Sequence, residues 1–343
     1  MPALGSFPNR MTSAWNRSTL RGALGTSAIL AVVALAAGMV RILPWLLDPS
    51  VTWRIAAPFA RSLAVVAGEA ALAVGWPVGW ALATSALVER GEGRVLQLLG
   101  ERPARTVARL AGQGLVLGVM LGGLSWASAR ESTEPGRIVT ELIADGEAAC
   151  AKADAPRTYT VPFFGATWLC APGHLPRLVG QGPGPLARLA FSAREARASG
   201  DLGSLELDDV HLAFPGASLH VGALRLRGAA PWGHASRVTP LSRASALAPA
   251  VALSAMLVVG LVLLQRTGGR LGTLAVAASG PLVALGALRA VERVVFPPFG
   301  LTESWLIGAI LPLALLAPLA MTWLVALAKS VRGRTLARNV ADC

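Results

Sequence analysis

Read for hydrophobic and polar positions, the chain alternates between long apolar runs and one extended stretch that lacks them. A helix needs about 20 mostly apolar residues to cross a bilayer. Six runs meet that length: about 24–47, 56–88, 110–128, 244–265, 271–290 and 304–328. Between the third and the fourth, the pattern changes to short alternating runs bounded by Gly, Pro and Asp. Thr158-Tyr159-Thr160-Val161, Ser204-Leu205-Glu206-Leu207, Val210–Phe214, Ser218–Val221 and Ala223–Arg227 have the period of half-buried strands. Residues 134–150 read as a helix, with Ile138, Leu142 and Ile143 on one side, and 172–190 is Gly/Pro-rich and reads as loop. The predicted architecture is a polytopic α-helical membrane protein of six transmembrane helices, 3+3, with an inserted β-sandwich or jellyroll-like domain. Its parts are residues 1–128, 129–243 and 244–343.

Composition supports that class. Of 343 residues, 54% are hydrophobic and only 15% charged, against about 25% charged in a soluble domain. The net charge of +12 raises the question of nucleic acid, and the placement of the charge answers it. Residues 129–243 hold 12 of the 31 basic and 11 of the 19 acidic residues. The excess therefore flanks or enters the apolar runs, as in a protein that meets anionic lipid and obeys the positive-inside rule. Arg10, Arg17 and Arg21, then Arg90 to Arg109, then Arg266 and Arg270, then Lys329 to Arg338 fall on one side of a six-helix topology. That side is expected to be cytoplasmic and the insert periplasmic. A basic start, an apolar run and Ala34-Leu35-Ala36 also fit a cleaved leader. The run resumes through Ile42–Leu47, which favours a retained helix.

Catalytic signatures are missing. The lysines, Lys152 and Lys329, each follow Ala, so neither sits in a phosphate-binding Gly-Lys-Ser/Thr loop. No Gly-x-Ser-x-Gly elbow occurs. Asp208, Asp209, His211 and His220 could be imagined as a metal site. Scattered polar residues on a β-surface are the favoured reading, and neither metal nor cofactor is expected. Cys150 and Cys170 would share an oxidising compartment, where they are either bridged or two buried free thiols.

Charge near the apolar runs is the remaining candidate chemistry. Arg41, Arg54, Arg61, Arg289 and Arg293 fall near the outer ends of helices in this topology, suited either to holding lipid phosphates or to snorkelling. Glu69, halfway along the second run, would pair with an Arg or face a cavity. Gly75 and Gly79 after it would admit a close neighbour, and Pro77 should kink the helix. Glu92–Leu99, with Val95, Leu96 and Leu98 apolar and Gly100 as a stop, reads as a short surface helix. Such a helix either docks a motor subunit or lies on the membrane without a partner.

With these residues the chain resembles the permease subunits of the lipopolysaccharide-export ABC transporter. The resemblance rests on Val40-Arg41-Ile42-Leu43, on Glu92 followed eight positions later by Gly100, and on Arg266-Thr267-Gly268-Gly269-Arg270 with Pro297-Pro298 and Trp305, in that order within a 3–insert–3 layout. It implies a non-enzymatic subunit of the bacterial inner membrane, with both termini cytoplasmic. It implies a cytoplasmic ABC ATPase dimer docked at about 89–103 through Glu92, Arg94, Leu96, Leu99 and Gly100. A second paralogous permease and periplasmic jellyroll bridge proteins would be further partners, the latter joined by edge-to-edge strand addition. Lipopolysaccharide or a similar anionic lipid would be the cargo, its phosphates met by Arg41, Arg54, Arg61, Arg289 and Arg293. The rival readings are a membrane-anchored assembly or sensor protein with a ligand-binding β-domain and no motor, a lipid-modifying enzyme, and a proton-driven transporter using Glu69.

Overall fold

The computed structural model describes residues 7–47, 53–98, 102–131, 134–161, 166–181, 189–198, 204–214, 216–227, 238–264, 267, 269–293 and 303–341. Its helices are α1 (Phe7–Leu46), α2 (Trp53–Glu89), α3 (Glu92–Leu98), α4 (Pro103–Ala108), α5 (Ala111–Glu131), α6 (Glu134–Ala151), α7 (Pro240–Leu263), α8 (Arg270–Arg293) and α9 (Glu303–Ala341). Its strands are β1 (Arg157–Val161), β2 (Ala166–Cys170), β3 (Arg177–Gln181), β4 (Ala190–Ala193), β5 (Glu195–Ala198), β6 (Ser204–Phe214) and β7 (Ala217–Arg227). The chain divides into two compact units: Met1–Ala34, Val66–Ala127 and Val238–Cys343 form one, Leu35–Val65 and Ser128–Arg237 the other. The insert thus takes with it the end of α1 and the start of α2, a boundary the apolar runs do not mark.

Among the described residues, five helices are long and apolar enough to cross a membrane: Trp15–Val40 of α1, Ala56–Glu89 of α2, α7, Arg270–Val291 of α8 and Ile307–Lys329 of α9. α5 lies where the third of six spans is expected and is 21 residues long, but five glycines (112, 114, 118, 122 and 123) and Gln113 dilute its apolar content. Six spans therefore reduce, among the described residues, to five that qualify by length and composition.

Polar residues of α5 have a structural use within the first unit. Gln113 Nε2 donates to the carbonyl of Asn16 at 2.8 Å and to its Oδ1 at 2.5 Å, while Trp80 Nε1 donates to Gln113 Oε1 at 2.9 Å. This network ties α1, α2 and α5 together, and burial of Gln113 and Trp80 makes it costly to leave either unpaired. α1 and α2 also cross closely. A Cβ on Gly75 would stand 2.6 Å from the Ser27 Cα, and one on Gly79 would overlap the Gly22 carbonyl and Thr26 Oγ1. Thr26 Oγ1 uses that proximity to donate to the Gly75 carbonyl at 2.5 Å. The small-residue stripe expected from the sequence is this contact, and α2 runs on through Pro77 as helix. Around it, Trp76 and Trp80 meet edge to face at 6.3 Å and pack with Leu117, Leu121, Leu247 and Val251.

The second unit is one antiparallel sheet in the order β1-β2-β3-β4-β6-β5, with β7 on the other side of β6. The jelly-roll expectation thus holds only as an antiparallel β-domain. β2 and β3 lie at 166–181, partly within the stretch read as loop, and their short runs bury Trp168, Cys170 and Leu178. α6 covers one face, with Val139 and Ile143 in the same core as Trp168, Phe191, Leu205, Leu207 and Phe59 of α2. Gly146 is required there, since a Cβ would stand 2.8 Å from the Trp168 ring. Cys150, at the end of α6, is joined to Cys170, at the end of β2, by a disulfide closing a separation of 20 residues. A loop of that size is worth about 3 kcal/mol in the chain-entropy account.

β6 and β7 correct the sequence reading, which breaks each into two strands. β6 is continuous over 11 residues, yet its buried positions run Leu205, Leu207, then Val210, Leu212. The phase slips by one at Asp209, which has a positive φ of 53°. The facing strands slip at the same level: Phe191 and Ala193 are buried before Arg194, and Ala196 after it. Pairing keeps one register from Ala190↔Ala213 through Ala198↔Leu205, so β4 and β5 act as one strand bent at Arg194. The slip looks like a turn in the sequence because alternation is the only signal there.

Candidate functional site

Four constellations stand out among the described residues. The first is a buried ion pair. Glu69, on α2, receives Arg243, in the first turn of α7, through both oxygens: Nε to Oε1 at 3.2 Å and Nη2 to Oε2 at 2.7 Å. The side chains are only 3% and 7% exposed. α7 begins with Thr239 as its cap, the hydroxyl accepting from Ser242 N at 3.3 Å, and with Pro240 at its first position. No acidic residue lies in that first turn, where a helix dipole favours an anion and disfavours Arg243. Glu69 supplies the missing carboxylate from α2. Of the two options for Glu69, pairing is the one found.

The second lies at the C-terminal end of α2. Arg270, the first residue of α8, donates from Nη2 to Glu89 Oε2 at 3.1 Å. Again the helix start has no acid of its own, and α2 provides one. Here the side chains are 78% and 43% exposed. Glu69 and Glu89 are 20 residues apart on one helix, about 30 Å at 1.5 Å per residue, which is one hydrocarbon thickness.

The third is the segment after Glu89. Gly91 turns the chain with φ of 80°, and α3 follows with Glu92 in its first turn, 4.0 Å from Arg90. Val95 and Leu98 are 47% and 87% exposed. Arg94 and Leu96 lie on α3; Leu99 and Gly100 fall outside the described residues. α4 follows, and between it and α7 lies an apolar cavity of about 400 Å³ lined by Pro103, Ala104 and Val107 with Met256, Leu257, Gly260, Leu261 and Leu264.

The fourth is on the outer face of β6 and β7. His211 and His220 are cross-strand partners whose rings stack at 4.4 Å and 13°. His220 Nε2 donates to Asp209 Oδ1 at 2.7 Å. That bond holds the Asp209 carboxyl below the usual carboxylate range, against a smaller desolvation that raises it, and Arg177 and His211 lower it further. Asp208 is outside this cluster. The sequence shows these residue types but not the meeting of positions 209 and 220, which requires the hairpin register.

The five arginines expected at one depth are distributed between the units. Arg41, Arg54 and Arg61 belong to the second, Arg289 and Arg293 to the first. Arg41 lies on α1, Arg54 and Arg61 on α2, Arg289 and Arg293 on α8. Arg61 and Arg289 are exposed. Of the loop motif, Thr267, Gly269 and Arg270 are described, the Thr267 hydroxyl lying 3.0 Å from that of Thr273. Arg266, Gly268, Pro297 and Pro298 fall outside the described residues, and Trp305 is exposed on α9.

The fold and these sites define a mostly helical protein with several helices suited to crossing a membrane and a β-domain inserted between them. No protein-family model matches the chain, and no curated protein matches it at a significant level.

Proposed function

We propose that the chain is a permease subunit of an ATP-driven transporter, one that lifts lipopolysaccharide or a related anionic glycolipid from the outer leaflet of the bacterial inner membrane. In this reading α5 is the third of six spans. The termini are cytoplasmic, and residues 129–243 are periplasmic. The observation that carries the reading is the segment joining α2 to α5. A seven-residue helix exposes Val95 and Leu98, immediately after a carboxylate tied to Arg270. A short helix that exposes apolar side chains suits docking, and this one follows directly on a residue linked to α8. Force applied to α3 by an ATPase would reach α2 directly and α8 through Glu89–Arg270. Glu69–Arg243 would carry it to α7, so the two sets of three helices would move together.

The remaining roles are those the resemblance implies. Arg41, Arg54, Arg61, Arg289 and Arg293 would meet lipid phosphates, which guanidinium groups hold bidentately. β7 pairs with β6 alone among the described strands, and its free edge would accept a strand from a periplasmic bridge protein. A second permease of the same kind would complete the transporter.

The test is mass spectrometry of what co-purifies with the tagged chain from its native membrane in mild detergent, beside a Glu92→Arg variant. An ABC ATPase and a second permease with the wild type, and loss of the ATPase alone from the variant, are expected. An intact chain without an ATPase in either sample overturns the proposal in favour of a membrane-anchored assembly or sensor protein.

A further inference from the structure

We propose that Asp209, His211 and His220 form a surface site for a first-row transition-metal dication, with Zn²⁺ the ion we assign to it. The inference is independent of the transport reading. One ligand atom from each residue lies within 4.8 Å of the other two. Zinc bound at about 2.0–2.2 Å to N and O donors requires them somewhat closer together, a change that rotation of partly or fully exposed side chains supplies. The backbone already does the harder part. His211 and His220 are held opposite one another by the β6–β7 register, and their rings already stack at 4.4 Å. Asp209 is two residues from His211 on the same strand.

Asp209 reaches this face only because of its backbone. With Leu205 and Leu207 buried, strict alternation would send residue 209 into the core. The positive φ of Asp209 shifts the phase, burying Val210 and Leu212 and leaving Asp209 and His211 outward. Backbone strain of this kind at a non-glycine residue concentrates at functional positions. Two imidazoles and a carboxylate suit zinc, copper or nickel, whereas calcium and magnesium prefer oxygen ligands throughout. A metal ion would take the place of the proton shared by His220 Nε2 and Asp209 Oδ1. Three protein ligands leave a further coordination position open to water.

The experiment uses the full chain in detergent, purified without a polyhistidine tag and stripped with chelator. Calorimetric titration with Zn²⁺ should show one equivalent bound. His211→Ala and His220→Ala should each weaken binding by roughly 10-fold or more, and Asp208→Asn should leave it unchanged. Electron paramagnetic resonance of the wild type loaded with one equivalent of Cu²⁺ should show hyperfine coupling to two imidazole nitrogens, a readout that needs no variant to fold. Absence of saturable binding, binding that survives both histidine substitutions, or a Cu²⁺ spectrum without imidazole nitrogen overturns the proposal.

Discussion

The two ion pairs that bridge α2 to the helices after the insert are built alike and situated differently. In each, an arginine in the first turn of a helix that lacks its own acid there receives a glutamate from α2. Glu69–Arg243 is sealed from water, and Glu89–Arg270 stands in it. Burial changes what the same bond does. A buried charge left without its partner costs several kcal/mol, because no water replaces the lost bond. An exposed pair gains little over hydration and is screened by salt. The buried pair is therefore a constraint on which helices can meet, while the exposed pair is an adjustable link at the far end of the same helix.

Breaking one partner of the buried pair is expected to have the largest effect. Glu69→Ala leaves Arg243 charged and enclosed, and the first unit should lose about 3–5 kcal/mol, read as a fall in thermal unfolding temperature in detergent. The comparison sharpens when both partners are replaced. Glu69→Leu with Arg243→Met removes the charges together, and much of the stability lost in Glu69→Ala should return. A double variant as unstable as the single one would mean that the pair contributes through packing, and that the contrast with Glu89–Arg270 is not one of charge burial.

A covalent link in the other unit supplies a scale for these losses. Cys150→Ser with Cys170→Ser should cost about 2–5 kcal/mol, measured as earlier hydrogen exchange of the β2 and β4 amides on heating. The Glu69–Arg243 pair should be untouched, since both its residues belong to the other unit. If losing the disulfide also released the membrane helices at the same temperature, the two units would unfold as one and neither loss could be assigned to its own bond.

Legibility followed range. The apolar runs located α1, α2, α5, α7, α8 and α9, because a membrane-length helix writes its burial into 20 consecutive residues. Its ends are less visible: α9 runs to Ala341, beyond the apolar run, since helical propensity persists where hydropathy stops. Cys150 and Cys170 were legible as a possible pair because both fall in the insert. The partner of Glu69 was not, lying 174 residues away at a boundary assigned to the insert. β6 and β7 were seen in halves, since a left-handed residue at 209 interrupts alternation without interrupting pairing. The Asp209–His220 contact was hidden for the same reason. It depends on register, which sequence periodicity leaves open once the phase has slipped.

Exchanging the exposed pair should have a much smaller effect than breaking the buried one. Glu89→Arg with Arg270→Glu restores attraction with the signs reversed but places an anion at the first turn of α8, where the dipole favours it. Unfolding temperature at physiological salt should stay close to that of the wild type, and the single variant Glu89→Arg should differ from it mainly at low salt. A large, salt-independent loss would put Glu89 in the same class as Glu69 and end the distinction between them.

The smallest effect is expected at the third pair, Asp209–His220, which is partly exposed and lies in the β-domain. The Asp209 carboxyl is held below its usual range by the His220 hydrogen bond. A depressed carboxylate contributes stability that is fully present above its unfolded-state value and disappears as pH falls through the lowered folded-state value. In chelator-containing buffer, the wild type should therefore exceed Asp209→Asn by a constant small margin near neutral pH. The margin should shrink on acidification below the ordinary carboxylate range. A difference that instead grew with acid would mean that the carboxyl is stabilised in its protonated form. Asp209 would then be held by its strained backbone rather than by its ionic partner, and the contrast between this pair and the two on α2 would no longer be one of ion pairing.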